Sequence, residues 1–576
     1  MSLENKSEIY EKIKGKLIAL YGEKKGESVF ARLYERMKEF KAKNSAISEK
    51  IYNKDILTEE DVVLITYGDQ VKDDDDTLDV LHRFLNKYVK GYINIVHILP
   101  FFPYSSDDGF AVIDYKEVNE EMGDWTDIEE ISEDYNLMFD AVINHISSHS
   151  EWFQKYKEGH PEYLDYFIEV DPDVDVSKVT RPRAKPLLTE VETNRGKKHV
   201  WTTFSPDQID LNYKNEDLLL NVIDILLFYV KKGASILRLD AIAYLWKKIG
   251  TSSIHLKETH EVIKLFRCIL DEVAPEVLII TETNVPYEEN ISYFGEEERE
   301  ADMVYQFTLP PLVLHTFHTG DAQKLIDWAQ DLKEFGLGKY YFNFLASHDG
   351  IGVRPVEGIL TNEEIDSLAT RTKENGGFVS YKTNNDGTKS PYELNIKYFD
   401  ALVQEEEPMD LKIQKFINAH SILLTFRGIP AIYIHSLLGS RNYIEGVKLT
   451  GEKRTINREK LSLEELETSI NEEGTIRHQV YENLTEIISI RKEQSALHPN
   501  ADQKVLDIDE RIFALLRENR ETGEQLLALH NISKQEIEGI NLKKILKNRE
   551  EFEDILKNNK MENIIDLKPY DFKWIR

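Results

Sequence analysis

Eight near-continuous apolar runs, rich in β-branched residues and separated by polar stretches of helical period, constrain this chain more than any other feature. They are VVLITY (62–67), YINIVHIL (92–99), LMFDAVIN (137–144), SILRLD (235–240), EVLIITE (276–282), ADMVYQF (301–307), YYFNFLAS (340–347) and AIYIHSLL (431–438). A strand that is apolar on both faces must be covered on both, as in a parallel sheet flanked by helices. Segments such as LDVLHRFLNKYVKG and NEDLLLNVIDILLFYVKKG supply those helices. The expected fold is therefore α/β: a (β/α)8 TIM barrel, with a flat doubly wound sheet as its structural competitor.

The rest of the chain divides around that barrel. Residues 1–60 predict an N-terminal helical extension, in which Ile9, Ile13, Leu17 and Leu20, then Phe30, Leu33, Met37 and Phe40, recur at helical spacing. Gly22 and Gly26 are expected to separate two amphipathic helices. Such a stripe packs on its parent domain or forms a subunit contact, so a homodimer is compatible with it. The catalytic barrel is expected over 61–496, with an inserted subdomain at 146–212 and a long loop at 350–412, both over the functional face. From 497 to 576, runs such as KVLDIDERIFALLREN and EQLLALHNIS predict a small C-terminal β domain.

Acidic residues number 104 against 72 basic ones, a formal charge of −32. Such a surface repels nucleic acid and anionic lipid, so neither is expected as a partner. Cys268 stands alone, which excludes an internal disulfide and fits a reducing compartment. The N-terminus lacks the apolar core of a signal peptide, and no apolar run approaches the ~20 residues that span a bilayer. A cytoplasmic location is expected. DDDD at 73–76 lacks regular ligand spacing and reads as a solvated loop, and there is no zinc or P-loop pattern. No metal and no cofactor are expected.

In a (β/α)8 barrel the carboxyl ends of all strands meet on one face. Asp240, Glu282 and Asp349 stand at or beside the ends of the fourth, fifth and seventh runs. Three carboxyl groups there suit glycoside chemistry: one attacks carbon, one handles protons and one steadies the transition state. Arg238 precedes Asp240 by two residues on one strand, so their side chains share a face, and the guanidinium is expected to lower the Asp240 pKa. His145 and His348 read as hydrogen-bonding groups, since Asn144 and Ser347 beside them complete no metal set. Arg181, Arg183 and Lys185 form a basic cluster within the first insertion, and Arg183 is the candidate phosphate ligand.

Four segments carry a family resemblance. DAVINH (140–145), GASILRLDA (233–241), ITETN (280–284) and NFLASHD (343–349) resemble, in order and spacing, the four sequence regions of the retaining α-amylase superfamily, glycoside hydrolase family 13. The resemblance covers roughly residues 60–500. Within it, HILPFFPYSSDDGF, the RPR at 181–183, WTTFSPDQIDLN and GEKRTINR resemble the sucrose phosphorylase branch. The resemblance implies that Asp240 is the nucleophile, Glu282 the general acid and base, and Asp349 the stabiliser of the oxocarbenium-like transition state. It implies that Asp107 (or its neighbour Asp108) and Arg458 close around the nonreducing end of one glucosyl unit, with Gln208 as a further sugar contact. Phe204 and Tyr244 are candidate apolar platforms, as core aromatics also are.

The resemblance also bears on what leaves and what enters. Arg183 matches a phosphate-contacting arginine of sucrose phosphorylases, which implies phosphorolysis with inorganic phosphate and a small glucoside as partners. The helical extension, TETNVPYEENISYFG, RPVEGIL (354–360) and LLTEVETNRGKKHVW look more like the glucosylglycerate phosphorylases of the same branch. Arg354 is then expected to add positive charge for a glycerate carboxylate, while Tyr392 and Glu393, in SPYELN, join the acceptor site. Glu393 stands where sucrose enzymes carry an amide, and its charge repels an anion unless an arginine intervenes. The expectation is reversible phosphorolysis of 2-O-α-glucosyl-D-glycerate. Sucrose, sucrose 6′-phosphate or glucosylglycerol as donor, an α-glucosidase or transglucosylase, and a non-catalytic carbohydrate-binding barrel are the alternatives.

Overall fold

Each apolar run overlaps one strand of the structure. The computed structural model describes residues 3–576 apart from 52, 183–184, 384–387 and 548. Its strands β1 to β8 are Val63–Thr66, Ile95–Ile98, Asn136–Ala141, Ala234–Leu239, Leu278–Thr281, Met303–Tyr305, Tyr340–Phe344 and Ile429–Tyr433. All pair in parallel and close on themselves, so that Val63 lies opposite Ile95 on one side and Ala431 on the other. This is the closed (β/α)8 barrel, not the flat sheet. The last run departs from expectation: Ile434–Leu437 is helical, because β8 has reached the barrel rim and finds no further strand to pair with.

The N-terminal extension forms helices α1, Leu3–Tyr21, and α2, Glu23–Lys43. The chain turns at Gly22, whose φ of 82° suits glycine. Gly26, expected beside it as a breaker, lies inside α2. A Cβ there would sit 2.6 Å from the Ile18 backbone, so this glycine lets the two helices touch. Ile13, Leu17, Val29, Leu33 and Met37 are buried. The pair packs on the barrel helices Glu216–Lys231 and Lys257–Val273. Tyr10 donates to Glu272 at 2.7 Å, Arg36 to Asp224 at 3.1 Å and Ser48 to the Val273 carbonyl at 2.7 Å. The apolar stripe is thus covered within the chain.

Both long gaps hold structure of their own. The first contains helix Glu151–Glu158, the hairpin Leu188–Thr193 with Gly196–Trp201, and a short strand Gln208–Asp210 paired antiparallel with His145–Ser147. The second, expected as a loop, carries a three-stranded antiparallel sheet (Ile351–Gly352, Phe378–Thr383, Lys389–Asn395) and helix Asn362–Glu374. A capping box of Thr361 and Glu364 starts that helix. The tail is a six-stranded antiparallel sheet with an added two-stranded ribbon. Along its strand Ile512–Glu518 the faces alternate: Ile512 and Ala514 enter the tail's own core, while Phe513 and Leu515 join the barrel's. Trp574 donates to Ser421 at 2.9 Å on the barrel helix Met409–Thr425. Among the described residues, no helix is long and apolar enough to cross a membrane.

Candidate active site

Below the mouth of the barrel lies a buried ionic group that fixes the fourth strand. Arg238 on β4 donates to Asp140 on β3 and, at 2.9 Å, to Asp240, while its Nε donates to the Tyr305 hydroxyl at 3.0 Å. Asp140 is held in turn by His97 of β2 at 2.7 Å. A buried guanidinium is tolerated only when its charge is met, and here two carboxylates and a hydroxyl meet it.

Asp240, Glu282 and Asp349 line one cleft at the carboxyl ends of the strands. Asp240 and Glu282 are joined through one residue, for the Ala241 N–H donates to Glu282 Oε2 at 3.0 Å. Ala241 has a left-handed backbone, φ 47°, as do Asp107 at 55° and Asp108 at 47°. Such strain costs a non-glycine residue about 1–3 kcal/mol and concentrates at functional sites. Burial raises the Asp240 pKa and outweighs the opposing pull of Arg238 and His145, so the expected net lowering is not what the site produces. Burial pushes Glu282 up to about 7, with Asp240 and Asp349 adding to it and Arg238 and the Ala241 N–H opposing. The direct guanidinium contact falls on Asp240, so the proton the pair shares resides on Glu282.

Asp349 is gripped from one turn, Lys453–Asn457 and the residue after it. Arg458 lies 3.2 Å from Asp349, 2.8 Å from Asp108 and 3.6 Å from Asp107, and its Nε donates to the His348 carbonyl. Both aspartates therefore flank Arg458, but Asp107 is the one that lines the cleft. Arg454, which the sequence reading did not single out, lies 2.6 Å from Asp349 and forks onto Glu393 at 2.7 and 3.3 Å. The position of Glu393 is a correction: it does not line the cleft but is buried on the side of an adjoining pocket. Alternation along Lys389–Asn395 is the reason, because Tyr392, one residue earlier, lines the cleft.

Phe204 and Tyr244 both line the cleft, their rings edge to face at 5.5 Å. Gln208 is buried beside them, 3.1 Å from the Phe110 carbonyl and 3.2 Å from His145 Nε2. His145 Nε2 is 2.9 Å from that same carbonyl, so this nitrogen is engaged with backbone and not free for a sugar. His348 stacks on Phe110 at 4.8 Å, and burial lowers its pKa to about 3, which keeps it neutral. Arg354 sits outside the lining, against the Tyr244 hydroxyl. Arg183 lies outside the described residues, whereas Pro182 beside it in sequence lines the cleft.

The α-amylase catalytic-domain family model matches residues 85–357. The chain is 51% identical over 474 residues to a glucosylglycerate phosphorylase of Spirochaeta thermophila, covering 82% of this chain and 80% of that protein. It is 46% identical over 520 residues to a glucosylglycerate phosphorylase of Escherichia coli, covering 90% and 92%. Among solved structures it is similar to sucrose 6F-phosphate phosphorylase from Thermoanaerobacter thermosaccharolyticum, with a TM-score of 0.72, 26% identity, and coverage of 82% and 94%. The chain belongs to the α-amylase family, in the branch that holds the glucoside phosphorylases.

Proposed function

We propose that this protein is a retaining glucoside phosphorylase that reversibly converts 2-O-α-glucosyl-D-glycerate and phosphate into α-glucose 1-phosphate and D-glycerate. One observation carries the chemistry: three carboxyl groups line a single cleft, and one of them, Glu282, holds its proton to about pH 7. Asp240 attacks the anomeric carbon while Glu282 gives its proton to the departing glycosidic oxygen. D-Glycerate leaves, and a β-glucosyl ester of Asp240 remains. Phosphate then attacks the same carbon, and Glu282 takes back a proton where phosphate carries one. Two inversions leave the anomer retained. Asp349, fixed by Arg454 and Arg458, stabilises the positive charge that develops on the ring.

The sugar side is bounded by Asp107, Arg458, Gln208, Phe204 and Tyr244, which supports action on one terminal glucosyl unit. Support for glycerate comes from the two relatives of that name. Arg183 is the proposed phosphate ligand, and the placement of Pro182 on the cleft supports it. The acidic surface supports an enzyme of small molecules working apart from nucleic acid and anionic membrane, and the lone Cys268 fits a cytoplasmic setting.

A donor panel tests the reading. Glucosylglycerate, sucrose, sucrose 6′-phosphate and glucosylglycerol are each incubated with and without phosphate, and glucose 1-phosphate is measured. Phosphate-dependent release from glucosylglycerate is expected, lost by about 10³-fold or more in Asp240→Asn. Good turnover of sucrose with glucosylglycerate inert would overturn the substrate. Glucose release indifferent to phosphate, together with an unimpaired Arg183→Ala variant, would make the protein a glucosidase.

A further inference from the structure

An acidic residue at the acceptor side is a difficulty for an enzyme whose acceptor is itself an anion. The structure places Glu393 on the far face of its strand, in the fork of Arg454, and Arg454 is the residue that reaches the cleft. We propose that Arg454 reads the negative charge of the acceptor, and that Glu393 is the positioning residue that holds it there. The inference rests on the reaction proposed above and names the group that gives that reaction its preference for an acid over a neutral polyol.

The contacts of Arg454 support it. A guanidinium has five N–H bonds in a fixed plane. Nε and Nη2 each give one to Glu393, and Nη1 stands 2.6 Å from Asp349 as an ion pair. The side chain is 25% exposed and lines the cleft beside Asp349 and Tyr392. Glu393 is 8% exposed in its side chain and shares the Arg454 charge with Asp349 and Asp107. It also packs tightly from behind: a Cβ on Gly350 would meet the Glu393 side chain at 2.6 Å and the Leu394 carbonyl at 2.7 Å. Glu393 is thus set between a backbone wall and the fork of Arg454, and Arg454 lines the cleft where the acceptor enters. A carboxylate is recognised best by such a pre-oriented planar fork.

The test is acceptor choice in the synthetic direction. Glucose 1-phosphate is the donor, D-glycerate and glycerol are the competing acceptors, and kcat/KM is measured for each. Any damage to Asp349 affects both acceptors and cancels in their ratio. Arg454→Gln is expected to lower the glycerate-to-glycerol ratio by about 10–100-fold, the worth of one charge-assisted contact. Arg454→Lys, which keeps the charge and loses the fork, should fall between. Glu393→Gln gives opposite signs for two roles: the ratio falls if Glu393 positions Arg454, and rises if its charge merely repels the anion. An unchanged ratio in both Arg454 variants, with equal loss on the two acceptors, would assign Arg454 to Asp349 alone and overturn the proposal. A rise in Glu393→Gln would overturn the positioning role. A wild-type enzyme inert toward D-glycerate but active on glycerol would instead sink the reaction on which the inference rests.

Discussion

Glu282 and Asp240 compete for one proton, and their neighbours decide the contest. Arg238 donates directly to Asp240, whereas Glu282 receives a single backbone N–H. The consequence for pH has a definite sign. Folded Glu282 holds a proton to about pH 7, while a solvated glutamate releases it near 4.5. The folded state therefore binds more protons than the unfolded one across that window, and stability falls as pH rises through it. Glu282→Gln removes the titration, so the Tm advantage of the variant over the wild type should widen from pH 5 to pH 8. A constant difference would mean that Glu282 is already ionised at pH 5. Activity should decline above about pH 7 for the same reason, as the acid form is lost. These two residues were legible in the sequence because strand ends of a barrel share one face. Arg454 was not, for it stands in a short turn far along the chain from Asp349 and no periodicity links them.

At the scale of elements, the strands were legible and their surroundings less so. Runs such as SILRLD are apolar on both faces because the barrel covers both, and few other settings produce that pattern. The direction of Glu393 was not legible, since it depends on strand register. A bulge at Ser380 and Tyr381 shifts the pairing of Lys389–Asn395, and a slip of one residue exchanges the faces. The sheet of the second insertion meets the Asp349 loop at Gly350, where added bulk would press on the Leu394 carbonyl, a backbone atom with no room to yield. Gly350→Ala is expected to cost about 1–3 kcal/mol in urea unfolding. It should also lower kcat/KM, because the loop that carries Asp349 must move. Full activity with unchanged stability would show that the loop adapts without consequence.

Across the whole molecule, the helices of the N-terminal extension touch none of the cleft, yet they are placed to affect it. They lie on helices Glu216–Lys231 and Lys257–Val273, which lead respectively into β4 and β5. Leu33 is fully buried in this contact. Leu33→Ala is expected to cost about 2–5 kcal/mol of stability, measured by denaturant, with kcat/KM at 25 °C held within about 2-fold. A large loss of activity without a loss of stability would contradict that division. The two helices so gripped deliver the strands of Asp240 and Glu282, so the extension serves as a splint on the outside of the very units whose tips must stay aligned. When warming frays it, the attacking group and the proton donor will drift apart first, and the enzyme will fall silent while most of its barrel still stands.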